Sequence, residues 1–370
     1  MGSNDDKVVR FPSERAGSGN GERVGGRDRE RGATDLAAGA LKSGWLTQGT
    51  AAVGLQAAAE AYLERRVVPV AGGSAALHLA LLAVEVGDGG EVILPAVSSS
   101  ATANLVILAG GRPVFADIEA PDRPFLDAAD ANRLVGPRTR AVLCIHEAGY
   151  PALVEELLRV ADDRNITLIE DCRAALGATV AGRPVGATGR LSTYAFGDSP
   201  TTGGLVSTSS EGIERHLVTL RSTVIATDDE CFSHDCADGM ANGYRIDEAA
   251  ASSGARVLTE LAETVARREA LAAEAAERLR AVGLKVLGGS GEDVHPNWRW
   301  LIALAPSRAR RDEIVSALRR RGVEVLMPVA AFAQPAQLHR RTLPHTRVFC
   351  DRALKLEVVP GLDRQLAEIL

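Results

Sequence analysis

The sequence predicts an α/β protein: a three-layer α/β/α large domain built on a mostly parallel sheet, followed by a small α+β C-terminal domain. Three observations carry this. Strand-like and helix-like segments alternate from residue 51 to residue 209. The strands are continuous apolar runs, as expected of strands covered on both faces. An Ala-rich helical stretch from Asp247 to about Arg280 then leads into a shorter unit of different pattern.

The elements follow in order. Residues 51–66 have helical spacing, with Val53, Leu55, Ala58, Tyr62 and Leu63 on one face. A β-branched run, 67–73, ends in glycines and leads into a helix at 74–86, with Ser74 as its predicted N-cap. Residues 91–97 read as a strand, 101–111 as a helix stopped by glycines, and 113–118 as a strand. A strand at 140–149, an amphipathic helix at 151–164 and a strand at 166–172 come next, then strands at 190–196 and 204–209. Beyond the long helix, LKVLGG, WRWLIALA, RDEIVSALRRRG and VEVLMPV make a β-β-α-β unit. The expected organisation is a disordered tail over 1–33, a large domain over 34–255 and a small domain over 256–370. The tail is Gly-rich, charged and nearly free of apolar residues, so burial cannot offset its ordering entropy. No internal repeat is present.

Composition narrows the function classes. Hydrophobic residues make up 46% of the 370 positions and charged residues 24%, which excludes a disordered or fibrous chain. The net charge of −6 argues against nucleic-acid or anionic-membrane partners. Five cysteines (Cys144, Cys172, Cys231, Cys236, Cys350) are too few and too odd in number for a disulfide framework. With no apolar signal-like core in MGSNDDKVVRFPSER and no long apolar run, a cytoplasmic protein is expected. Only four of the 42 basic residues are lysines, namely Lys7, Lys42, Lys285 and Lys355.

Several groups of residues carry possible chemistry. Gly72, Gly73, Ser74 and Ala75 stand at a strand-to-helix junction, where small residues and free N–H groups favour an anion. A tight turn with an ordinary cap explains them equally well. Glu170 and Asp171 end a buried strand, the edge where ligands bind in such sheets, although a helix-capping role is also open. His146 and Glu147 end another strand and offer general acid/base groups, or a structural histidine. Cys231, His234 and Cys236 are zinc-ligand types without a second pair at metal spacing, so no metal is expected. The arginine clusters 308–311 and 319–321 flank an amphipathic helix and read as a solvated face.

Taken in order, SGWLTQG (43–49), GGSAALHLALLAVEVGDGGEVILPA (72–96), CIHEAGYP (144–151), ITLIEDCRAALGA (166–178), AGRPVGATGRLSTYAF (181–196) and NGYRIDEAAA (242–251) resemble the DegT/StrS sugar aminotransferases. These are pyridoxal-phosphate (PLP) proteins of the aspartate-aminotransferase fold, fold type I. The resemblance implies a homodimer with its sites at the interface and amino transfer from glutamate to a keto sugar nucleotide. It places the phosphate-binding turn on Gly73, Ser74 and Ala75. It places the aspartate that pairs with the pyridine nitrogen on Asp171, where a negative charge would keep that nitrogen protonated.

Elsewhere the family pattern is broken. The ring-stacking aromatic falls on Ser99, the glutamine after the aspartate on Ala174, and the phosphate-holding serine on Ala195. The partner-subunit asparagine falls on Gly243, beside Asn242. The Schiff-base lysine falls on Pro200, or on Ser199 if a gap is shifted. No lysine lies between Lys42 and Lys285, so no shift of alignment restores one. That lysine anchors PLP and moves the proton at the substrate carbon. Serine and proline do neither. Any PLP or pyridoxamine phosphate would therefore be held non-covalently, if at all. Three readings follow. One is an enzyme repurposed to non-transaminase chemistry, with Asp171, His146, Asp198 and Ser199 as its acids, bases and nucleophile. Another is a pseudoenzyme partnering an active paralogue, as homodimer or heterodimer. The third is a nucleotide-sugar aminotransferase with an atypical lysine. The arginine and alanine bias points to secondary-metabolite or cell-surface sugar biosynthesis.

Overall fold

The computed structural model describes Thr47 and residues 49–197, 202–222, 242–288, 293–328 and 341–369. The N-terminal tail, Lys42, Asp198, Ser199, Pro200 and the Cys231, His234, Cys236 loop lie outside these described residues. In chain order the large domain comprises α1 (Thr50–Leu63), β1 (Arg66–Val70), α2 (Gly73–Ala83), β2 (Glu91–Pro95), α3 (Ser100–Leu108), β3 (Arg112–Ala116), β4 (Ile118–Ala120), β5 (Arg123–Leu126), α4 (Ala128–Leu134), β6 (Thr139–Ile145), α5 (Glu155–Arg164), β7 (Thr167–Asp171), β8 (Thr179–Val180), β9 (Arg183–Pro184), β10 (Leu191–Ala195), β11 (Gly204–Thr208), α6 (Glu211–Arg221) and α7 (Glu248–Thr259). The C-terminal part adds α8 (Leu261–Ala281), β12 (Lys285–Val286), β13 (Val294–His295), β14 (Trp300–Leu304), α9 (Arg308–Arg320), β15 (Val325–Leu326), α10 (Pro344–Arg352), β16 (Ala353–Glu357) and α11 (Leu362–Ile369).

Seven strands form the main sheet in the order β1-β11-β10-β7-β6-β2-β3. Pairing is parallel from β3 through β10, and β11 runs antiparallel to both β10 and β1. Two reversals restore the direction, so β1 points the same way as the parallel strands. Their C-terminal ends, carrying Gly73, Ser99, His146, Asp171 and Ala195 at or just beyond them, emerge on one edge. Pro69 sits in β1, an edge strand, where a missing N–H costs no ladder bond.

Strand alternation divides the core. Leu143 and Ile169 face α2, α3 and the Leu217 side of α6, whereas Val142, Cys144 and Leu168 face the opposite layer. The helices are set by local caps: Ser99 for α3, Asp127 for α4, Ser210 for α6 and Asp247 for α7 each accept a backbone N–H. The first turn of α1 has no such residue. The Glu248 carboxylate on α7 replaces it, accepting the amides of Gly49, Ala51 and Ala52 at 2.7–3.2 Å.

The structure departs from the sequence reading in four places. The buried face of α1 is Ala52, Leu55, Ala59 and Leu63, so Val53 is 66% exposed. Small alanines, rather than the larger valine, fit against α7. Helix α2 begins at Gly73 with Gly72 at its cap, leaving Ser74 exposed one step inside the helix. The predicted long helix is two helices that break at Glu260, with α7 packed on α1 and α8 packed in the small-domain core. The hairpin β4–β5 and helix α4 fill the stretch between the expected strands 113–118 and 140–149, to which the sequence reading assigned no element.

The small domain is a four-stranded antiparallel sheet, β12-β14-β16-β15, covered by α8, α9 and α11. Its other face closes on the large domain through Tyr150, Ile302, Leu304 and Phe349. Polar contacts fix the register of this seam. Asn297 donates to the carbonyls of Ala174 (2.8 Å) and Leu176 (3.0 Å), and its own amide donates to Gly149 O. Gly149 makes this approach possible: its φ is +89°, and a Cβ there would fall 2.0 Å from Asn297 Oδ1. Gly149→Ala should therefore destabilise the fold by about 2 kcal/mol or more. Denaturant unfolding measures it. A cost near zero would show that the seam tolerates the displacement of Asn297.

Candidate functional site

The site is the edge where the parallel strands end. Glu170 and Asp171, adjacent in sequence, do not act together there. In an extended strand consecutive side chains take opposite faces. Asp171 lies on the α2/α3 face, and Glu170 on the other.

Glu170 is buried with His146. The Ala152 amide donates to His146 Nδ1 at 3.0 Å, which leaves Nε2 to donate to Glu170 Oε2 at 3.0 Å. The same carboxylate accepts the amides of Gly186 (3.0 Å), Thr188 (2.9 Å) and Gly189. Burial alone would push Glu170 up. The His146 hydrogen bond and the backbone donors outweigh it and hold the carboxyl below its ordinary range. Both histidine nitrogens are thus engaged, and His146 is 1% exposed. It orients Glu170, whose carboxylate anchors the loop after β9. Cys172 lies within 4.8 Å of the His146 and Glu170 ligand atoms, and burial pushes its thiol well up.

Asp171 is also buried, and its partner is Arg173. The Arg173 amide donates to Asp171 Oδ1 at 3.2 Å, forming a tight turn that returns the arginine side chain to the carboxylate. Nε then donates to Oδ1 at 2.8 Å and Nη2 to Oδ2 at 2.6 Å, a two-pronged pair. The Thr193 hydroxyl adds a longer bond of 3.4 Å. Burial works against the charged aspartate, yet the Arg173 charge and hydrogen bonds keep its carboxyl below the usual range. Since Asp171 and Glu170 are both depressed, their contribution to stability is present above the unfolded carboxylate pKa of about 4. It is lost only as pH falls through the lower folded values.

The other expected site residues are placed around this pair. Gly73 opens α2 directly beside Arg173: a Cβ at Gly73 would lie 2.7 Å from Ala195 Cβ and 3.2 Å from Arg173 Cδ. Ser74 is exposed and Ala75 half-buried at the start of that helix, whose first amides lack helical partners. Ser99 is the exposed N-cap of α3; its hydroxyl bonds Thr102 Oγ1 at 3.0 Å, and that oxygen accepts Arg173 Nη2 at 2.8 Å. Ala174 is tied through its carbonyl to Asn297. Ser98 is buried beside Ser99, and its hydroxyl has no hydrogen-bond partner among the described residues.

Sequence reasoning passed over two residues. One is Arg173, for which the signal was its place two residues after a strand-terminal aspartate. The other is Lys355. In Ala-Leu-Lys-Leu-Glu the leucines face the small-domain core and the lysine the other way, toward the large domain. Its ammonium pairs with Glu147, which follows His146. Burial pushes Lys355 down to about 8. Lys285 pairs with Asp122 at the domain edge. Neither lysine is among the hydrogen-bond partners of Asp171, Arg173 or Thr102.

These residues do not fit PLP held as the resemblance implied. Both oxygens of the aspartate meant for the ring nitrogen are taken, the stacking position is a helix cap, and Ala195 has no hydroxyl to offer a phosphate. No described lysine reaches the cleft.

Fold and site together define a two-domain chain of the PLP-dependent aminotransferase fold whose cofactor edge has been rebuilt. The chain belongs to the DegT/DnrJ/EryC1/StrS aminotransferase family, whose model matches residues 28–369. It is 31% identical over 353 residues to a dTDP-3-amino-3,4,6-trideoxy-alpha-D-glucose transaminase from Streptomyces venezuelae, covering 91% of this chain and 90% of that protein. A GDP-perosamine synthase from Vibrio cholerae is 27% identical over 315 residues, 82% of this chain and 84% of its own. Among solved structures, S. venezuelae DesV in complex with a ketimine intermediate superposes with a TM-score of 0.80 at 30% identity, covering 93% of both chains.

The Lys355–Glu147 pair gives a pH-dependent test. A folded pKa below the unfolded value means the unfolded chain binds the extra proton between about 8 and the unfolded 10.5, so stability rises with pH across that window. Glu147→Gln leaves the buried ammonium without its countercharge. It should cost about 3 kcal/mol at pH 7 and clearly less at pH 9, and adding Lys355→Met should recover most of the loss. Denaturant unfolding at both pH values checks this. An equal cost at pH 7 and 9 would mean that the amine is not the group being compensated.

Proposed function

We propose that the protein is a non-transaminating member of its family, a pseudoenzyme that serves nucleotide-sugar or secondary-metabolite biosynthesis as the partner of an active relative. One observation carries the reading. The cleft-edge groups described here that could replace the missing lysine (His146, Glu147, Glu170 and Asp171) are committed to internal hydrogen bonds or ion pairs. General acid/base catalysis needs a group free to exchange a proton with a ligand. The relatives named as a transaminase and a perosamine synthase support the sugar context. The partnership draws on the shared fold, since the family resemblance implies a dimer with its sites at the interface.

A second reading, a repurposed enzyme, draws on the Ser98 hydroxyl at the cleft edge, which has no partner among the described residues, and on Asp198 and Ser199. It differs from the first in requiring turnover.

The test has two arms. The purified chain, supplied with PLP, glutamate and a 3-keto or 4-keto nucleotide sugar, should form no amino sugar above the protein-free rate. Co-expressed with a lysine-bearing family member from the same genome, it should co-purify as a mixed oligomer of defined mass. Amino-sugar formation by the chain alone would refute the proposal, and turnover without amino transfer would favour the second reading.

A further inference from the structure

We propose that Arg173 is an internal occupant of the ring end of the family's cofactor cleft, and the residue that bars a pyridinium cofactor from it. The inference concerns binding rather than turnover, so it stands or falls apart from the reading above.

Three contacts place the side chain. Its guanidinium engages both oxygens of Asp171, the carboxylate that the family resemblance assigns to the ring nitrogen. Its Nη2 also donates to Thr102, which is bonded to Ser99 at the ring-stacking position. Its aliphatic stem passes beside Gly73, at the phosphate-turn position, where an added Cβ would lie 3.2 Å from Arg173 Cδ. One arginine thus spans from the phosphate end to the ring-nitrogen end. The side chain is 18% exposed and Asp171 is 3% exposed, so the pair is largely shielded from water.

Charge explains why this bars a cofactor. A protonated pyridine brings one positive charge to Asp171, and the guanidinium already supplies it. An entering ring must displace a two-pronged, charge-assisted pair and move the arginine, whose neighbours Thr102 and Gly73 leave it closely packed. The pocket is neutral and hydrogen-bonded without a cofactor. In a chain that also lacks the lysine anchor, nothing offsets that displacement.

The experiment titrates the full chain with pyridoxamine 5′-phosphate by calorimetry. Wild type, Arg173→Ala, Arg173→Gln and the double variant Arg173→Ala/Asp171→Asn are compared, with circular dichroism as the check on folding. Arg173→Ala should bind at least about 100-fold more tightly than wild type, with Arg173→Gln between them. Adding Asp171→Asn should remove the gain. Arg173→Gln keeps a neutral donor for Asp171 and supplies the readout if the alanine variant does not fold. Wild type binding as tightly as the arginine variants would overturn the proposal. So would a gain that survives Asp171→Asn, or no gain in folded Arg173→Gln. Wild-type binding as tight as that of the arginine variants, without amino transfer, would remove this inference and leave the proposed function standing.

Discussion

The buried pair between Asp171 and Arg173 is the interaction on which the character of this molecule depends. A parallel sheet gathers its strand ends at one edge, and in this fold that edge calls for a charge partner for Asp171. The partner here is two residues away in the same chain. A tight turn made by the Arg173 amide and the Asp171 carboxylate returns the guanidinium to its own neighbour. A contact this local forms with little loop-closure entropy, and once buried it is difficult to remove from either side. The segment that follows is fixed by Asn297 of the small domain, through the carbonyls of Ala174 and Leu176. The arginine is therefore held by its turn, by its ion pair and by the domain seam.

The opposite face of the same strand shows a parallel arrangement. Glu170 looks in sequence like half of a paired carboxylate, yet its surroundings are a histidine and three backbone amides. These bonds order the loop from Gly186 to Gly189 and fix the end of β6. Burying a carboxylate is costly unless its lone pairs are filled, and here they are. The same argument applies at the seam, where Glu147 makes a buried lysine tolerable. Three acids at one sheet edge thus have three structural partners.

Much of the fold was legible in the sequence because apolar runs and glycine stops report directly on strands and helix ends. The parallel sheet, the order of its elements and the strand ends that carry Gly73, His146 and Asp171 all follow from that pattern. The absence of any lysine between Lys42 and Lys285 was equally plain, being a matter of residue identity over a long span. The features that escaped depend on direction rather than identity. Val53 and the alanines of α1 differ by one step around a helix. Glu170 and Asp171 differ by one step along a strand, and nothing in a dipeptide says which acid meets the cleft. Arg173 and Lys355 are ordinary polar residues in sequence, and only the turn at Asp171 and the pairing of β16 with β14 show what they touch.

This bears on how the surviving family residues should be understood. Asp171 matches the position that the resemblance gives to the ring-nitrogen partner, whereas the positions it gives to the stacking aromatic and the phosphate-holding serine are Ser99 and Ala195. Taken alone, its presence suggests that cofactor binding persists. The geometry supplies a different reason for keeping it. With Arg173 buried beside it, loss of the aspartate would leave an uncompensated guanidinium in the core, just as loss of the arginine would leave an uncompensated carboxylate. Each member of the pair now protects the other from substitution, whatever the cleft binds. Gly73 is held in the same way, since a side chain there would collide with Ala195 and press on Arg173. Two residues that would serve a cofactor in the family thus have packing and electrostatic reasons to remain whatever the cleft binds, and their retention carries no information about catalysis.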